Sequence, residues 1–226
     1  MADVIETVTA WLASRGDEMP ALLQRLVDID SSSFDKTGTD AVGGAISDEL
    51  QADGIEVVRI PKTGSGDVLR VEVRGHRAGR HALLLGHRDT VFPSGTVAVR
   101  PYSWQGDLAF GPGVADMKGG LVANIFALRA IKAAGGLPFP VVALFTADEE
   151  IGSPAGRLEI ENAAKQARAV LNTEPGRISG NVVKARKGAP GFISGSRAVP
   201  RTPESITRRG SAQSRRSRVK SFVCMR

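Results

Sequence analysis

The chain has 226 residues, 42% of them apolar, a formal charge of +6 and a single cysteine, Cys224. That length allows one sizeable domain, or a domain and part of a second, and one cysteine excludes an internal disulfide framework. No apolar run approaches the length of a membrane span. The charge is unevenly spread: residues 1–186 hold 20 basic and 23 acidic side chains, whereas residues 187–226 hold ten basic and one acidic. A mildly acidic body with a basic tail argues against a nucleic-acid partner, which would call for a basic domain face. The opening stretch MADVIETVTAWLASRGDEMP carries acids early and no basic-then-apolar pattern, so a cytoplasmic protein is expected.

The first thirty residues read as helix. Val4, Val8, Trp11 and Leu12 recur at helical spacing, and Leu22, Leu23, Leu26 and Val27 resume it after Pro20. SSSFDKTGTD is a loop, and residues 40–52 return to helical spacing before the stop signal Asp53-Gly54. The stretches at 55–60 and 68–75 alternate like half-exposed strands. HALLLGH (81–87) and PVVALFTA (140–147) are continuous apolar runs, as in strands buried on both faces. A helix over about 117–134 separates them and stops at Gly135-Gly136; a second helix, about 154–167, leads to a strand at 167–173. Strands alternating with helices define an α/β fold with a mostly parallel sheet flanked by helices. From about residue 188 apolar residues thin out and no period persists, so the expected division is a folded domain over 1–187 and a disordered basic tail over 188–226.

Four segments place chemistry-bearing side chains where strands of such a sheet end. LLLGHRDTV carries His87 and Asp89; FGPGVADMKGG carries Asp116 ahead of a helix; FTADEE carries Glu149 and Glu150; VLNTEPG carries Glu174. In an open α/β sheet ligands gather at the carboxyl ends of the strands, so one histidine and five acids converge on one rim. Each residue alone has a plain reading: a solvated acidic loop, a core histidine, a helix cap, a turn before Pro175. Together they cannot all stay ionised without countercharge, and Arg88 and Lys118, the basic residues nearby in sequence, are too few. A divalent metal site answers this. Mixed imidazole and carboxylate donors suit zinc, with cobalt or manganese as substitutes. His87 and Asp89 stand two apart, so in extended chain they point the same way and Asp89 can hold the histidine ring. Of the adjacent pair Glu149 and Glu150, one can ligate while the other handles the proton of a water. His76 and His81 are expected to be structural, and Arg88 to lie at the surface.

GHRDTV, GPGVADMKGG, TADEEIGS and NTEPG, in this order, resemble the signature segments of the dinuclear zinc aminoacylase and carboxypeptidase family, which includes glutamate carboxypeptidase, acetylornithine deacetylase and succinyl-diaminopimelate desuccinylase. The likeness spans about residues 1–190. It implies a hydrolase that cleaves the amide bond of a peptide or N-acyl amino acid. It implies that His87 and Glu174 bind a first zinc, that Asp116 bridges two, and that Glu150 binds the second. Asp89 would orient His87, and Glu149 would be the general base. A glutamate at 174 points to the carboxypeptidase and deacylase branch.

The same resemblance implies a lid domain inserted after about residue 185 and a later histidine completing the second zinc. Here the three histidines, His76, His81 and His87, all precede residue 90. His81 stands six residues before His87 on one strand, roughly 20 Å away at about 3.3 Å per residue, and cannot share its metal. An intact first site and an incomplete second one are therefore expected. The arginine- and serine-rich tail has the composition of a reading-frame change near residue 188, with impaired turnover and loss of lid-mediated homodimerisation as consequences. The competing expectation is a non-catalytic metal-binding remnant whose basic tail contacts acidic partners.

Overall fold

The computed structural model describes residues 2–176 and 223–224. The boundary near 187 and the basic tail over 188–226 lie outside the described residues, apart from Val223 and Cys224.

The helical pattern of the first thirty residues forms two helices, α1 (Ala2–Ala13) and α2 (Glu18–Val27), parted by a turn at 14–17. Pro20 falls in the first turn of α2, where a missing amide leaves no helical hydrogen bond unmade. Helix α3 (Lys36–Ala52) begins four residues before the apolar spacing shows it. The Asp35 side chain accepts the Gly38 amide at 2.9 Å and so caps its first turn.

Strands β1 (Val57–Ile60), β2 (Val68–Val73), β3 (His81–His87), β6 (Val141–Thr146) and β7 (Ala167–Asn172) form one sheet in the order β1-β2-β6-β3-β7. The pairs β6–β3 and β3–β7 are parallel, and β2 joins β6 and β1 antiparallel. The two continuous apolar runs, β3 and β6, occupy adjacent central places and are buried almost throughout. Edge strand β7 is mostly exposed.

Alternation along these strands splits the core in two. Leu84, Ala143 and Phe145 face α2, α3 and α5 (Gly119–Ala133), where Leu23, Leu26, Val42, Ile46, Leu121, Ile125 and Phe126 meet them. Leu83, Val142 and Leu144 face the other way, towards Ala163 and Ala164 of α6 (Arg157–Gln166). This is the expected helix–sheet–helix layering.

A second, small sheet has no counterpart in the sequence reading. Beyond the short turn α4 (Thr96–Val99), β4 (Ser103–Gln105) and β5 (Leu108–Phe110) pair antiparallel, and β8 (Val223–Cys224) pairs with β5. Gly106, at φ +60°, turns the hairpin.

Candidate metal centre

Parallel pairing delivers the site. His87, the last residue of β3, lies opposite Thr146, the last of β6, and Leu85 opposite Asn172, the last of β7. The loops bearing Asp89, Glu149 and Glu174 therefore leave the sheet side by side. Asp116 arrives from a different direction, in the tight segment Val114–Lys118 that leads into α5. Two glycines permit this. Gly113 has φ +75°, and a Cβ there would stand 2.6 Å from Thr90 Cγ2. A Cβ on Gly120 would stand 2.1 Å from the Thr173 carbonyl oxygen, so only glycine lets α5 start against the residue before Glu174.

His87 is buried, and its two ring nitrogens face different company. Nδ1 lies 3.2 Å from Asp89 Oδ1 and 3.0 Å from the Asp89 carbonyl oxygen. Nε2 lies 3.3 Å from Asp116 Oδ1, 3.4 Å from Glu174 Oε1 and 3.7 Å from Glu149 Oε2. One nitrogen has at most one proton to give, so three carboxylates around it are not satisfied by hydrogen bonding. Two ligand atoms bound about 2.0–2.1 Å from a tetrahedral ion stand about 3.3 Å apart, which is the spacing of Nε2 from Asp116 and Glu174. Donor atoms of His87, Asp116 and Glu150 lie within 4.8 Å of one another, and so do those of His87, Glu149 and Glu174. The donor set fits a divalent ion.

The titration pattern tells the same story. Burial alone would lower the His87 pKa, but hydrogen bonds to Asp116, Asp89 and Glu174 override it and push the ring up to about 12. A field that favours a proton so strongly favours any cation. Glu149 is shifted up, first by burial and then by Glu174, Asp116 and Asp89, with His87 opposing. Asp89 is held low despite its burial by His87, the Ser33 hydroxyl and the Glu150 amide.

All six residues singled out from the sequence, His87, Asp89, Asp116, Glu149, Glu150 and Glu174, thus stand at one rim. Their grouping differs in two respects: His87 joins Asp116 and Glu150 in the first cluster, and Glu149 stands in place of Asp116 beside His87 and Glu174 in the second. The first acid of the DEE run, Asp148, turns away from the rim. Its Oδ2 accepts the Ala155 and Gly156 amides at 2.6 and 3.0 Å, anchoring the turn before α6. His81 sits buried at the opposite end of β3 from His87.

The basic neighbours supply no countercharge. Arg88, expected at the surface, is fully buried. It donates to the carbonyls of Thr39 (2.8 Å), Phe145 (2.7 Å) and Asp67 and to Asp40 Oδ1 (3.3 Å). In extended chain, successive side chains point to opposite faces, which sends Arg88 away from the rim. Burial lowers its pKa to about 10 against the pull of Asp40. Lys118 is equally buried and donates to the Ile29 carbonyl at 2.8 Å. Sequence reasoning also missed Ser33, whose hydroxyl donates to Asp89 Oδ2 at 2.6 Å. Nothing in the SSSF run distinguishes it from its neighbours.

An open, mostly parallel α/β sheet thus carries a histidine and carboxylates at its strand ends, in groups that could hold a metal ion. The profile of Peptidase family M20/M25/M40 matches residues 83–215, more than half of the chain, and the chain belongs to that family. Carboxypeptidase G2 of Pseudomonas sp. (strain RS-16) is 38% identical over 165 residues, covering 70% of this chain and 40% of that protein. A succinyl-diaminopimelate desuccinylase of Methylobacterium nodulans is 34% identical over 139 residues, 57% of this chain and 35% of that protein. Human carnosine dipeptidase 1 shares the fold at a TM-score of 0.65 and 20% identity, over 77% of this chain and 42% of its own. The di-peptidase Dug1p from Saccharomyces cerevisiae does so at 0.62 and 21%, over 76% and 41%. The chain thus spans about 40% of the length of the first of the curated relatives. No helix among the described residues is long and apolar enough to cross a membrane.

Proposed function

We propose that this chain carries the metal-binding half of a zinc-dependent hydrolase that cleaves the amide bond of a peptide or N-acyl amino acid. The observation that carries the reading is the placement of Asp116, Glu149 and Glu174 around one nitrogen of His87, with its other nitrogen tied to Asp89. The names of the relatives, a carboxypeptidase and a desuccinylase, support an amide next to a carboxylate-bearing residue as the bond cut. His87, Asp116 and Glu174 would hold one zinc, and Asp116 and Glu150 a second; cobalt and manganese suit the same donors. A divalent ion bound there polarises the scissile carbonyl and lowers the pKa of water. Among the described residues no second imidazole stands beside Glu150, which makes the second position the weaker of the two.

Each side chain then has a physical task. Asp89 fixes the ring of His87 so that Nε2 points at the acids. Glu149, half-exposed at the rim and with its pKa raised, takes a proton from the attacking water and returns it to the leaving amine. Its backbone amide is pinned to Asp89 Oδ1 at 3.2 Å, which keeps the carboxylate in reach. The test is hydrolysis of a panel of N-acyl amino acids and dipeptides by the zinc-loaded chain, with Glu149→Gln as control. The reading expects turnover that collapses in the variant while zinc stays bound. Zinc uptake with no turnover by the wild type would leave only the non-catalytic metal-binding remnant.

A further inference from the structure

Asp89 is the hub of the rim, and four groups among the described residues meet its carboxylate. Oδ1 faces His87 Nδ1 at 3.2 Å and accepts the Glu149 amide at 3.2 Å. Oδ2 accepts the Glu150 amide at 3.1 Å and the Ser33 hydroxyl at 2.6 Å. Three of these partners belong to the centre itself. Ser33 is the one that reaches in from a separate segment, and its bond is the shortest, within the charge-assisted range for a hydroxyl on a carboxylate.

We propose that Ser33 is a positioning residue of the metal centre: its hydroxyl locks the Asp89 carboxylate, and through it the ring of His87 and the backbone of Glu149 and Glu150. The functional meaning of this rests on the metal-site reading above. The seat of Ser33 does not depend on the bond it makes. Ser32 forms a parallel β-bridge with Thr90, the Thr90 amide donates to the Ser31 carbonyl at 2.7 Å, and the Asp35 amide donates to the Ser32 carbonyl at 2.8 Å. Backbone contacts therefore hold the 31–35 segment against the residue after Asp89 whether or not the hydroxyl is present. Ser33 is the fixed point and Asp89 the group being fixed. The last torsion of an aspartate is broad and weakly restrained, so its planes are set by its partners. Without the hydroxyl, Oδ2 keeps one amide at 3.1 Å, the carboxylate turns, and the histidine ring follows.

The test uses the full chain and cobalt alone as probe, with uptake followed by visible absorption. Removing a ligand's direct partner costs about 10- to 100-fold in metal affinity; Ser33 stands one contact further out, so Ser33→Ala is expected to weaken cobalt binding by up to about 10-fold. Ser33→Thr, which keeps the hydroxyl, restores most of it. In an Asp89→Ala background, which leaves the hydroxyl no carboxylate to hold, Ser33→Ala costs nothing further, because the two residues act through one contact. A metal-free readout runs beside it: with only three histidines in the chain, the His87 ring nitrogens are assignable by nitrogen-15 NMR. Their signals move in Ser33→Ala and return in Ser33→Thr, while the melting temperature stays near that of wild type. Unmoved ring signals with unchanged cobalt affinity overturn the proposal, as does an equal cost in both backgrounds. A wild type that takes up no cobalt would sink the metal reading, and the ring signals would still decide the role of Ser33.

Discussion

Two buried clusters gather acids around a single nitrogen-bearing side chain, and they resolve the charge in opposite ways. On α5, Arg129 donates to Asp53 Oδ2 at 2.6 Å, Glu49 Oε1 at 2.6 Å and Glu18 Oε2 at 3.3 Å, and lies over the rings of Phe126 and Trp11. The guanidinium fork has five N–H groups, enough for three acceptors, and the acids keep exposed edges in water. That cluster closes on itself and staples α2 and α3 to α5. At the rim, one imidazole faces Asp116, Glu149 and Glu174 with a single nitrogen, and Asp89 and Asp116 are buried. Arg88 and Lys118, which stand near site residues in sequence, direct their donors to carbonyls elsewhere and, for Arg88, to Asp40 Oδ1. A cluster that supplies its own cation is structural; one that gathers several acids about a single imidazole nitrogen has the donor set of an ion site.

Variants at the two clusters should separate along that line. The largest effect is expected for Glu149→Gln, which removes the general base: kcat falls about 10²- to 10⁴-fold with zinc affinity largely kept, as read by steady-state kinetics and metal titration. Loss of zinc together with activity would mean that Glu149 is chiefly a ligand. Next comes Arg129→Met, which removes the fork shared by Asp53, Glu49 and Glu18, although Glu49 keeps Arg25 and Glu18 keeps Arg15. Denaturant unfolding should show a loss of about 1.5–3 kcal/mol, with zinc affinity unchanged; a change in zinc affinity would merge the two clusters. The smallest is Asp35→Ala, which removes the α3 cap and should cost about 1 kcal/mol. The Gly38 amide first, and then the Ser94 hydroxyl, hold the Asp35 pKa below its usual value. A lowered folded-state pKa means stability present above the unfolded pKa, about 3.9, and lost as pH falls through the folded value. The gap between wild type and Asp35→Ala should therefore close below about pH 4; a gap independent of pH would show that the carboxylate charge plays no part.

What could be read from the sequence divides along the range of the signal. Strands β3 and β6 are legible because burial on both faces leaves an uninterrupted apolar run, and the strand ends then place the acids. The site residues are legible because their ordering into four segments is itself the pattern. The β4–β5 hairpin is not, since strands of three residues are too short to show a period. Neither is the burial of Arg88, because its acceptors at Thr39, Asp67 and Phe145 come from three distant segments. Ser33 is hidden for the same reason: 56 residues separate it from Asp89, and a serine in a loop carries no signal of its own. Long-range partners of buried polar groups belong to the tertiary structure.

Everything turns on whether the rim holds a divalent ion, and native mass spectrometry of the zinc-loaded chain asks this most directly. The account predicts one firmly held zinc per chain, absent in His87→Ala and retained in Glu149→Gln and Arg129→Met. A wild type that holds no zinc, one that holds two equally firmly, or a His87→Ala variant that holds it as well as wild type would contradict it.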